Sequence, residues 1–129
     1  MGRNVGLWLD HSECIVAFPD EGEFLRRFTS HAGKRMQVRG AEAAHKQGTI
    51  DPILAKQLTS FYNDIIACVH SADAIYILGP DEAKTELHNR LTAANLGDRV
   101  LGVEKVEKMA AREIVAKIHS CFTKNAVAV

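Results

Sequence analysis

SADAIYILGPDEAKTELHNRL, Ser71 to Leu91, places a short apolar run, a Gly-Pro turn and a helical pattern in direct succession. Ala74 to Leu78 has the length and apolar character of a strand buried on both faces. Gly79, Pro80 and Asp81 carry turn and N-cap chemistry for the helix that follows. Upstream, Asp51-Pro52 opens a helix in the favoured way, aspartate at the N-cap and proline in the first turn. Leu54, Leu58, Phe61, Ile65 and Val69 then recur at helical spacing. Downstream, Ala83, Leu87, Leu91 and Ala94 form one face of the second helix, with Gly97 as its expected left-handed C-cap. Arg99 to Val106 reads as a further strand. Met109, Ile114, Ile118 and Phe122 mark the buried side of a last helix before the tail TKNAVAV.

Toward the N-terminus, Val5, Leu7 and Leu9 alternate with Gly6, Trp8 and Asp10, which predicts a strand. Asp10-His11-Ser12-Glu13 is a turn, stabilised by the aspartate side chain, before a second strand over Cys14 to Phe18. Pro19-Asp20-Glu21-Gly22 suits a type I turn into a third strand, Glu23 to Phe28. The element order is therefore βββαβαβα. Three antiparallel strands followed by right-handed βα crossovers give an α/β domain of three layers, a five-stranded mixed sheet with helices on both faces. That is a ribonuclease H-like topology. No repeat or linker interrupts it, so residues 1–129 are expected to form one domain.

Sixteen lysines and arginines balance sixteen aspartates and glutamates, so net charge points to no partner. The distribution does. Arg26, Arg27, Lys34, Arg35, Arg39 and Lys46 face a single acidic residue, Glu42, between positions 26 and 46. Such a segment offers a local anion-binding surface. From Ser30 to Gly48 the apolar periodicity is lost, which predicts a mobile basic loop at about 30–50, as functional or disordered insertions of this length are. Cys14, Cys68 and Cys121 are odd in number, far apart and set among apolar neighbours, as reduced core thiols are. No run is long enough for a signal peptide or a membrane span, so the cytoplasm is the expected compartment.

The residues bear on three chemistries. A metal-dependent nuclease needs carboxylates converging on Asp10, for which Asp73, Glu104 and Glu107 are loosely placed, and a turn role suits Asp10 better. GPDEAKT, Gly79 to Thr85, imitates a phosphate loop but is one residue short and lacks the second glycine. It also sets Asp81 and Glu82 where a phosphate would rest. His11, His31, His45, His70, His88 and His119 show no metal-ligand spacing, and His11 and Ser12 read as turn residues. Neither a cofactor nor a metal is expected.

The same stretch, at Ser71 to Asp73 and Ala83 to Leu87, resembles the middle domain of the archaeal and eukaryotic peptide-release factors and of Pelota. It is similar also to their small bacterial relatives, some described as host-attachment proteins. The resemblance runs from Val5 to Phe122 and is strongest over Ser71 to Leu91. It implies a ribonuclease H-like fold and a ribosome-linked role. In the release factors the connection between the third strand and first helix carries the Gly-Gly-Gln motif that hydrolyses peptidyl-tRNA. Set against it, Gly33-Lys34-Arg35-Met36-Gln37 keeps Gln37 in register, but Arg35 and Met36 replace both glycines. Gly33 and Gln37 would then be remnants, because those glycines allow backbone shapes that side chains forbid.

The expected function is a non-catalytic, ribosome- or structured-RNA-associated domain contacting phosphate through Lys34, Arg35, Arg39 and Lys46, supported by Arg26 and Arg27. The alternative is a protein-interaction module or homodimer packing through exposed Trp8 and the terminal AVAV. A nuclease or peptidyl-tRNA hydrolase stands third, and no membrane partner is expected.

Overall fold

The computed structural model describes residues 3–19, 25–30 and 52–128. The Asp20 to Gly22 part of the expected turn, most of the basic segment and the side chains beyond Thr123 lie outside the described residues. Five strands, β1 (Asn4–Leu9), β2 (Glu13–Ala17), β3 (Leu25–Thr29), β4 (Ala74–Gly79) and β5 (Val100–Lys105), form one sheet in the order β3-β2-β1-β4-β5. β2 pairs antiparallel with β1 and β3, whereas β4 pairs parallel with β1 and β5. Helices α1 (Pro52–Val69), α2 (Ala83–Ala93) and α3 (Ala111–Ala128) complete the fold. This is the expected ribonuclease H-like arrangement, with α3 continuing through residues expected to be a tail.

Each sheet face has its own core. Val5, Leu7, Leu9, Cys14, Val16, Ile75 and Ile77 pack beneath Phe61, Tyr62 and Ile65 of α1 and Leu87 and Leu91 of α2. The residues between them, Trp8, Ile15, Ala17 and Leu78, turn to the other face and meet Ile114, Ile118 and Cys121 of α3. The alternation expected to leave Trp8 exposed is the alternation of a central strand buried on both sides. Trp8 is fully buried, and its indole N–H donates to the Val106 carbonyl at 2.9 Å. Burying so large a ring requires a partner for that one polar group. Gly6 lets α3 come close, since a Cβ there would sit 2.3 Å from Ile118 Cγ2.

The second helix ends differently from expectation. Asn95, not Gly97, takes the left-handed conformation, at φ 65°. Asn95 N–H donates to the Thr92 carbonyl and Leu96 N–H to that of Leu91, which is the Schellman closure. Leu96 is then buried beside Leu91, the place expected for Ala94, which is exposed. Of the thiols, Cys14 and Cys121 are buried and Cys68 is half-buried. Among the described residues no helix is long and apolar enough to cross a membrane.

Candidate functional site

Parallel β1 and β4 end side by side, and the turns that leave them bring distant residues together. The Asp10 carboxylate accepts from the backbone N–H of Ser12 at 2.7 Å and of Glu13 at 2.9 Å, the expected Asx turn. The turn projects His11 toward α2. There His11 Nε2 lies 2.9 Å from Glu86 Oε2, and Nδ1 lies 3.7 Å from Asp81 Oδ2. The other Glu86 oxygen accepts from the Tyr62 hydroxyl at 3.1 Å, and the Arg90 guanidinium covers the Tyr62 ring at 4.9 Å. One carboxylate thus ties α2 both to α1 and to the β1–β2 turn.

The electrostatics follow from this placement. Burial works against a charge on His11, but the Glu86 hydrogen bond and the charges of Glu86, Asp81 and Asp10 outweigh it and raise its pKa. Burial, reinforced by the Glu86 charge, pushes the Tyr62 hydroxyl far above the usual phenol range. Tyr62 therefore stays a donor and Glu86 an acceptor. The cluster holds protons and fixes elements. His11 is more than the turn residue its neighbours suggested, because its partner stands 75 residues away, where local spacing gives no signal.

The carboxylates considered for metal chemistry are not brought together. Asp73 sits at the opposite end of the strands, where Oδ2 accepts from Arg3 N–H at 2.7 Å. Glu104 pairs with Lys117 at 3.1 Å, and Glu107 lies 4.0 Å from Lys105. Among the described residues no group of three or more histidines, cysteines or acids is arranged to hold a metal ion. The phosphate-loop imitation is occupied by its own chain. Asp81 Oδ1 accepts from Ala83 N–H at 3.0 Å, and the Lys84 ammonium donates to the Asp81 carbonyl.

Of the basic residues, Arg26 and Arg27 are described. They are exposed neighbours on edge strand β3, opposite Val16 and Ile15 respectively. Since Val16 and Ile15 belong to different faces, so do the two arginines. They are not the paired support expected from their adjacency. Arg26 stands over the Phe28 ring at 5.9 Å. Gly33, Lys34, Arg35, Gln37, Arg39 and Lys46 lie outside the described residues. The described chain stops at Ser30, whose N–H donates to the Ser12 carbonyl beside His11 at 2.7 Å.

No protein-family model matches the chain, and no curated protein sequence does. Solved structures do. Pelota from Archaeoglobus fulgidus superposes on 99% of this chain and 35% of its own, with a TM-score of 0.56 and 13% identity. Pelota from Thermoplasma acidophilum covers 92% of this chain and 33% of its own, at a TM-score of 0.57 and 12% identity. The chain thus spans about a third of the length of these proteins. Across that third the two share a fold, as the resemblance of Ser71 to Leu91 implied.

Proposed function

We propose that this chain is a non-catalytic, translation-related domain that binds the ribosome or another structured RNA through its basic segment. The observation supporting the reading is a Pelota-like fold that carries six basic residues against one acidic residue between Arg26 and Lys46. Lysine and arginine side chains that neutralise phosphates release condensed counterions, so such binding is salt-dependent. Arg35 and Met36, where the release motif has glycines, argue against peptidyl-tRNA hydrolysis. Because Arg26 and Arg27 face opposite ways, one RNA surface engages them unequally, and Lys34, Arg35 and Arg39 carry the contact.

Co-sedimentation with ribosomes across a salt titration tests this. Binding should weaken with salt, with a log–log slope of about −0.7 per phosphate contact on single strands. Replacing Lys34, Arg35 and Arg39 together by alanine should lower affinity and slope while thermal unfolding is unchanged. Equal binding by wild type and triple variant would remove the segment as the contact surface.

A further inference from the structure

His11 has a carboxylate at each ring nitrogen. Nε2 lies 2.9 Å from Glu86 Oε2 and Nδ1 lies 3.7 Å from Asp81 Oδ2, with 13% of the side chain exposed. Ionised carboxylates only accept hydrogen bonds, so the arrangement suits an imidazole that carries a proton on both nitrogens. Each neutral tautomer loses one side. With the proton on Nε2, the Nδ1 lone pair is turned to Asp81. With the proton on Nδ1, a lone pair meets Glu86 at hydrogen-bond distance. The contact between the β1–β2 turn and α2 is therefore complete only when His11 is charged.

The same turn carries that contact on to β3. Asp10 Oδ1 holds the N–H groups of Ser12 and Glu13, which makes Asp10 to Glu13 one unit with His11 inside it. Ser12 presents its carbonyl to the Ser30 N–H at 2.7 Å, one residue past the Glu13–Thr29 pair that ends the β2–β3 ladder. Ser30 is the last described residue before the basic segment. On the far side of His11, Glu86 is fixed by the Tyr62 hydroxyl of α1 at 3.1 Å. A continuous line of contacts thus runs from α1 through Glu86, His11 and Ser12 to the end of β3.

We propose that the β1–β2 turn is a proton-operated latch: charged His11 locks the turn to α2 and steadies the end of β3 at Ser30, and loss of the proton loosens both. The groups facing His11 fix the direction. Glu86 on α2, Asp81 in the turn before α2 and Asp10 in the β1–β2 turn are all acidic and favour the charged ring. Tyr62 on α1 keeps its proton, the Lys84 ammonium is held at the Asp81 carbonyl, and Arg90 lies over the Tyr62 ring. Burial opposes the charge on His11 and is outweighed, so release comes above the ordinary imidazole value of 6.5. The latch acts where the basic segment leaves the sheet, and it stands whether or not that segment meets RNA.

Amide hydrogen exchange followed by NMR on the full chain tests this, with each rate divided by the intrinsic rate at that pH. Protection of Ser30 should fall about two- to tenfold, the worth of one hydrogen bond, as pH rises through the His11 imidazole titration. The Asp73 N–H, bonded to the Arg3 carbonyl at the opposite end of the sheet, should keep its protection. His11→Gln should show the lower, high-pH protection of Ser30 at every pH. Asp81→Asn, which keeps an oxygen for the Ala83 N–H, should move the imidazole midpoint and the Ser30 midpoint down together. Should His11→Gln fail to fold, Asp81→Asn decides alone. Ser30 protection that stays flat across the imidazole titration overturns the proposal, as does protection that shifts in step with Asp73 or does not follow the midpoint in Asp81→Asn.

Discussion

On one face of the sheet α1 and α2 lie side by side, and the upper part of their seam is closed by a polar network of His11, Glu86, Tyr62 and Arg90. On the other face α3 packs by shape, Ile118 fitting over Gly6 and Trp8 filling the space next to it. The first arrangement sets protonation and charge beside a large apolar core. The second rests on a smaller core packed closely around Trp8 and Gly6. Substitutions that change side-chain size should therefore act on both faces, while changes of pH should act on the α1–α2 side.

The largest effect is expected at Trp8. Trp8→Ala removes a fully buried ring from the smaller core and should cost about 3–5 kcal/mol in urea unfolding. Trp8→Phe keeps much of the volume but leaves the Val106 carbonyl without its donor, an added penalty of about 1–3 kcal/mol. A loss below about 1 kcal/mol for the alanine variant would mean that the ring is not part of this core.

Gly6→Val comes next. Its added methyls meet Ile118 where there is no room, and overpacking of this kind costs about 1–3 kcal/mol. Ile118→Ala, destabilising alone, should recover part of the loss when combined with Gly6→Val. The double-mutant cycle measures that coupling. Strict additivity would show that α3 does not rest on Gly6.

These two residues also show what could be read in the chain and what could not. The strand–turn–helix at Ser71 to Leu91 is local, so its apolar run and turn residues were enough to define it. Trp8 reads as exposed because alternation is the signature of a half-buried strand, yet a central strand covered on both faces can alternate as well. Its neighbour Gly6 was the available signal, as a glycine within a strand often marks close approach of another element. Asn95 won the left-handed position over Gly97 because Leu96, one residue later, is then buried. His11 carried no local signal at all. Its role depends on α2 being laid over β1, a consequence of the crossover and not of any spacing.

The smallest expected effect, and the one that separates the two faces most cleanly, is the pH dependence contributed by His11. In the folded chain its pKa lies above the ordinary value of 6.5, because Glu86, Asp81 and Asp10 outweigh the cost of burial. Between the unfolded value and the higher folded one, the folded state binds more protons than the unfolded chain. Stability therefore falls as pH rises through that window. The His11 contribution is complete below about 6.5 and is lost once pH exceeds the folded pKa. His11→Gln should remove this part of the slope without disturbing α3. Glu86→Gln should lower the His11 pKa, because burial is then opposed only by Asp81, Asp10 and more distant charges. Imidazole titration by NMR, together with urea midpoints on either side of neutrality, measures both effects. A His11 pKa below 6.5 in the wild type, or equal slopes for wild type and His11→Gln, would show that the seam between α1 and α2 is held by packing, as the other face is.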